Sequence, residues 1–200
     1  MREITFKIEE KQDGLMIRDF LRNFGVSSAL LTKLKQDENG ISLNGEFAKA
    51  IAVLHTSDVL KIRIKNKGKM PEKFICDKVK VAYDDEDILV LNKPPLMPVH
   101  ESRNHRGDTL ANVAACYMES DCAFRAVYRL DRDTSGLVLI AKNELAASKL
   151  AGKIKKDYYA IVKGKFEGDG TIDLPIRRVR ESIIERGVFD DGEARLPTTG

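Results

Sequence analysis

The stretch Tyr128-Arg129-Leu130-Asp131-Arg132-Asp133-Thr134-Ser135-Gly136-Leu137 sets one carboxylate, Asp131, in a tight polar turn between two apolar runs. Arg129 and Arg132 flank it, and neighbouring cations suit a carboxylate that is to act as an anionic nucleophile. Working outward, FRAVYRL (124–130) and GLVLIAK (136–142) read as strands on either side of the turn. Upstream, VKVAY (79–83) and ILVLNK (88–93) read as a strand pair joined by the acidic turn Asp84 to Asp87. Pro94 and Pro95 then end the second strand and enforce an extended loop from Leu96 to His100. Asp108 and Thr109 can cap a helix carrying Leu110, Val113, Ala114 and Tyr117. Beyond the turn, ELAASKLAGKI (144–154) predicts a helix, YYAIVKG (158–164) a strand and KGKFEGDGTI (163–172) a hairpin.

The first third of the chain has a different texture. Ile4, Phe6 and Ile8 alternate as in a strand, and IRDFLRNFG (17–25) puts Ile17, Phe20, Leu21 and Phe24 on one helical face before a glycine stop. Ser27 or Ser28 can cap a second helix with Leu30, Leu31 and Leu34 at the same spacing. Asn44-Gly45 reads as a two-residue hairpin turn, and VLKIRIK (59–65) alternates again. The expected organisation is α+β: a compact module over 1–66, a polar linker over 67–78 and a second domain over 79–200.

At 200 residues, 42% hydrophobic and 32% charged, the chain has enough apolar material for a sizeable core. No run approaches the roughly 18 apolar residues of a membrane span, so no membrane role is expected. The three cysteines, Cys76, Cys116 and Cys122, form no CxxC pair, which argues against a disulfide framework or a four-cysteine zinc site. An intracellular, cytoplasmic location follows as the expectation. The net charge of +3 says little, but the run from Lys61 to Lys80 holds eight basic residues against Glu72 and Asp77, a stripe suited to a phosphate backbone. Phosphate-loop, dinucleotide-binding, HExxH and GxSxG signatures are missing, and His55, His100 and His105 lack metal-ligand spacing. Neither a metal nor a cofactor is expected.

LRNFGVSSALLTKLKQDENGISLNGE (21–46), with TSDVLKIRI (56–64) after it, resembles the S4-type RNA-binding module. The resemblance implies an RNA surface on the two short helices and the following loop, where Arg22, Lys33, Lys35 and Lys49 stand. The ten residues around Asp131 resemble the HRLDRxTSGL signature of the RluA-type pseudouridine synthases, with Tyr128 in place of the usual histidine. LVLNKPPLMPVH (89–100) is similar to that family's NKPxGxxVH motif, with Leu96 where glycine is common, and KKDYYAIVKG (155–164) is similar to its KxYxAxVxG segment.

The resemblance implies a mixed antiparallel sheet and conversion of uridine to pseudouridine in structured RNA, ribosomal RNA first and tRNA second. It implies Asp131 as catalytic nucleophile, Arg129 as the residue that helps displace the target base, and Tyr158 as the residue that stacks on it. Lys93, in the NKP motif, joins Arg22, Lys33, Lys35 and Lys49 as an expected RNA contact. The family's distal TGRxHQxR motif has no counterpart in residues 177–200, so the catalytic domain is expected to be incomplete, with exposed sheet surface that promotes self-association. The rival reading is an RNA-binding protein or inactive pseudoenzyme. The terminal LPTTG (196–200) matches a sortase signal but lacks the signal peptide and tail that a cell-wall substrate needs, and reads as coincidence or a tag.

Overall fold

The computed structural model describes residues 1–178 and 186–188, apart from 67, 104, 120, 121, 166 and 172. The stretch bearing LPTTG lies outside the described residues, as does most of 177–200. Two compact units are present, Met1–Ile154 and Lys155–Gly200.

The first unit begins with the alternation read from the sequence. β1 (Arg2–Lys7) pairs antiparallel with β4 (Val59–Ile64), setting Phe6 against Leu60 and Ile4 against Ile62. β2 (Ile41–Leu43) lies on the other side of β4, and β3 (Glu46–Phe47) completes the order β1-β4-β2-β3. Asn44 and Gly45 both take positive φ, as a tight two-residue hairpin between β2 and β3 requires.

Over this sheet lie α1 (Ile17–Phe24) and α2 (Ser28–Gln36). Gly25 ends α1 at φ 105°, a left-handed stop natural to glycine, and the Ser27 hydroxyl accepts from the Leu30 amide to start α2. Ile17, Leu21, Leu30, Leu31 and Leu34 are buried together with Leu60, Ile62 and Ile64. Phe6 meets Phe20 and Phe24 edge to face, with centroids 5.2 and 4.6 Å apart.

A second core forms on a three-stranded antiparallel sheet: β5 (Lys80–Asp84), β6 (Ile88–Lys93) and β7 (Gly136–Ala141), in the order β5-β6-β7. Leu89, Leu91, Val138 and Ile140 bury one face against Leu110, Val113 and Ala114 of α3 (Leu110–Ala114). α3 is shorter than the spacing predicts, because Cys116 and Tyr117 donate to carbonyls only three residues back and tighten its end. The expected strand over 124–130 reduces to one bridge, Ala126 opposite Ile140, flanked by the Val127 amide on the Leu139 carbonyl and the Ala141 amide on the Arg125 carbonyl. The 67–78 segment is not a loose tether: Met70 and Phe74 pack on the second core, and the buried Asn112 donates to the Glu72 carbonyl.

The two cores are sewn together by α4 (Glu144–Leu150) and the acidic turn before β6. Leu145 belongs to the first core, and the Lys149 ammonium lies 3.4 Å from the centre of the Phe24 ring. Arg2 donates to both carboxylate oxygens of Asp87, which also accepts from Asn143.

The second unit contains β8 (Ile176–Arg178) paired antiparallel with β9 (Arg186–Val188). Residues 158–164 do not form the expected strand. Their apolar side chains stand in the open, with Tyr159 and Ile161 fully exposed, and among the described residues no partner strand supplies a ladder. The expected hairpin over 163–172 is likewise absent from the described residues.

Backbone proximity makes one small residue decisive. A Cβ on Gly40 would overlap the Leu34 carbonyl oxygen, so Gly40→Ala forces α2 away from β2. The expected loss is about 2 kcal/mol, read as a fall in the urea midpoint at unchanged slope.

Candidate active site

The register of the second sheet brings the two sequence motifs together. Lys93, the last residue of β6, pairs with Gly136, the first of β7, so the loops carrying Leu96 and Asp131 leave the same end of adjacent strands. Leu130 is buried and anchors the chain between two exposed residues, Arg129 and Asp131. The Thr134 amide donates to the Asp131 carbonyl and closes the turn. Tyr128, which stands where the family pattern has histidine, donates its hydroxyl to the Leu137 carbonyl at 2.9 Å and ties the start of the loop to β7.

One electrostatic expectation changes. Arg132 does not serve Asp131: its guanidinium lies on Asp133, with Nε 2.8 Å from Oδ1 and Nη2 3.3 Å from Oδ2. That pairing holds the Asp133 carboxyl below the usual carboxylate range. Asp131 is left with an exposed side chain at the mouth of the loop, next in sequence to Leu130 and two residues from Arg129.

Lys93 is the residue whose role sequence reasoning missed. Expected among RNA-contacting cations, it is completely buried. Its ammonium donates to the carbonyls of Pro94 (3.0 Å), Met97 (2.8 Å) and Arg132 (3.0 Å). One cation thus binds both loops of the site from below. Burial pushes its pKa down from the ordinary lysine value, and the charges of Asp133 and Asp131 oppose that shift. Two prolines directly after a lysine were the available signal, since a chain turning that sharply leaves carbonyls in need of a donor.

Leu96 lies between the bonded carbonyls at φ 65°, in the left-handed region where glycine is at ease, and its side chain is 70% exposed. The family preference for glycine at this position therefore has a backbone cause. His100, at the end of the same loop, packs edge-on against Phe124 with centroids 5.2 Å apart. Desolvation, with Arg129 adding to it, holds its imidazole below the usual histidine range.

Arg22, Lys33, Lys35 and Lys49 are all exposed on the first unit. Lys33 is engaged by Glu144 of α4 at 2.6 Å, whereas Arg22 and Lys35 lie on α1 and α2 with their side chains in solvent. Of the eight basic residues in the 61–80 stripe, three are paired with carboxylates among the described residues: Lys61 and Arg63 both hold Glu3, and Lys65 holds Asp37. Tyr158 belongs to the second unit, where its side chain is 59% exposed. Among the described residues no cluster of His, Cys, Asp and Glu side chains is arranged to hold a metal ion, and no helix is long and apolar enough to cross a membrane.

Replacing the buried cation tests the geometry. Lys93→Met keeps the volume but leaves three carbonyls without their donor, so stability is expected to fall by about 2–4 kcal/mol in urea unfolding. Proteolysis within residues 94–100 should become faster than in the parent chain.

Residues 87–198, which include both loops, match the family model for RNA pseudouridylate synthase. An uncharacterized RNA pseudouridine synthase of Bacillus subtilis strain 168, YjbO, is 33% identical over 190 residues, 90% of this chain and 67% of that protein. A second from that organism, YlyB, is 28% identical over 207 residues, 96% of this chain and 68% of that protein. Ribosomal large subunit pseudouridine synthase D of Pseudomonas aeruginosa is 39% identical over 127 residues, 59% of this chain and 39% of that protein. With the motifs, the shared sheet end and these relatives in agreement, the chain belongs to the RNA pseudouridylate synthase family.

Proposed function

We propose that this chain isomerises uridine to pseudouridine in structured RNA, with large-subunit ribosomal RNA as the leading substrate and tRNA as the second. The observation that carries the reading is an exposed carboxylate, Asp131, on a turn held from beneath by a buried cation while the neighbouring Arg132 is taken up by Asp133. The reaction breaks the bond from the sugar to N1 and forms one from the sugar to C5 of the same base. The C5 proton is released and N1 gains one, so no oxidant or group donor is consumed. What the reaction needs is a carboxylate near the sugar, a surface for the extruded base and a group to occupy the stack it leaves. Asp131 is the nucleophile in this reading, Tyr158 stacks on the base, and Arg129 helps displace it. The names of the ribosomal large subunit relatives support ribosomal RNA as the first substrate to try.

In this reading residues 1–66 are an S4-like RNA-binding module and the reaction takes place in the cytoplasm. Arg22, Lys35 and Lys49 bind phosphate groups, and Lys33 contributes less because Glu144 competes for it. Phosphate contacts set affinity and its salt dependence, whereas the loops around Asp131 act on the base.

Asp131→Asn keeps the size and removes the anion. Pseudouridine formation, scored by carbodiimide labelling of an unmodified ribosomal transcript, should fall on the order of 10,000-fold with RNA affinity nearly unchanged. Turnover equal to the parent chain would overturn the nucleophile assignment. RNA binding without isomerisation in the parent chain would instead favour an RNA-binding protein.

The triple substitution Arg22→Gln, Lys35→Gln, Lys49→Gln should flatten the slope of log affinity against log salt by about 0.7–0.9 for each phosphate that is no longer neutralised. An unchanged slope would remove these three residues from the RNA surface.

A further inference from the structure

Leu96 breaks two local rules at once. It is a non-glycine residue at φ 65°, a conformation in which a side chain crowds its own backbone. It also turns a large apolar side chain to solvent, 70% exposed, while the next residue, Met97, and then Val99 are buried. A glycine would relieve the first fault and a polar residue the second. Backbone held in a sparsely populated region persists where surrounding structure over-determines it, and such positions gather at functional sites.

The surroundings here do over-determine it. Pro94 and Pro95 fix the approach, and the Lys93 ammonium holds the Pro94 and Met97 carbonyls on both sides of Leu96. The same ammonium holds the Arg132 carbonyl, next to Asp131. Leu96 is therefore presented at the lip of the Asp131 turn with its side chain turned away from the core.

We propose that Leu96 is a substrate-contacting side chain that packs on the face of the nucleotide flanking the target uridine and so helps select which uridine is reached. The inference rests on the functional reading given above. A phosphate would call for a cation, and a base edge would call for a hydrogen-bonding group; leucine offers neither. The face of an unstacked base is the part of RNA that an exposed aliphatic side chain can cover. Apolar side chains wedged beside base steps help to open the stack. With Arg129 assigned to displacing the target base, Leu96 on the opposite loop is left to support its neighbour.

The test uses the full chain with Leu96→Gly and Leu96→Asn, both of which accept positive φ. The probe is a short single-stranded oligoribonucleotide with one uridine followed by 2-aminopurine, whose fluorescence rises when it unstacks. The parent chain is expected to raise that fluorescence on binding. Both variants should keep or raise the urea midpoint, weaken probe binding about five- to tenfold and blunt the fluorescence rise. An unmodified ribosomal transcript, scored by carbodiimide labelling, should show the same drop in kcat/KM.

Three results would overturn the proposal. One is parent-like binding and fluorescence in Leu96→Gly. Another is a lowered urea midpoint in that variant, which would make Leu96 a packing residue. The third is a parent chain that leaves 2-aminopurine stacked. Failure of the parent chain to form pseudouridine would count against the catalytic reading, while the fluorescence arm would still decide the role of Leu96.

Discussion

A single buried ammonium holds the site together. Lys93 stands at the end of β6, where the sheet stops supplying partners and the chain turns through two prolines. Three backbone carbonyls converge there, and each would be costly to bury without a donor. The lysine satisfies all three and bridges loops separated by more than thirty residues of sequence. Catalytic geometry usually depends on such underpinning, because a carboxylate that wanders by an ångström loses rate even when its charge is intact.

Cations elsewhere are spent on joining elements. Glu3 draws Lys61 and Arg63 together and is held below the usual carboxylate range first by Lys61 and then by Arg63. Arg2 reaches across to Asp87, and Glu144 receives both Lys33 and Arg125. A count of basic residues along the chain therefore overstates the charge available to a polyanion. What remains for RNA is set by which lysines and arginines lack a nearby carboxylate, a property of the fold that composition cannot reveal.

Much of this architecture was legible in the sequence because it obeys simple periods. The alternation in β1 and β4, the leucine spacing of α1 and α2 and the Asn44-Gly45 hairpin are local signals, and each formed where its pattern indicated. The motif around Asp131 was equally legible, and the pairing of Lys93 with Gly136 brings it to the same end of the sheet as the distant NKP motif. Strand character failed at 124–130 and 158–164 because a strand is a relation between two segments. Apolar alternation states only half of that relation. Lys93 was misjudged because lysine is almost always exposed. The two prolines after it hint at carbonyls in need of a donor, but the Arg132 carbonyl comes from a distant segment that only the fold brings near.

Leu145 has a bearing on how the chain is made. It completes the first core, although about eighty residues of chain separate it from Ile64, the last residue of β4. During synthesis at roughly 5–20 residues per second, the N-terminal segment spends on the order of ten seconds outside the ribosome with that core unfinished. Through that interval the surface destined for Leu145, beside the Phe24 ring that Lys149 will cover, faces the cellular milieu. The core of the first 64 residues is thus closed only when α4 has been added to the chain.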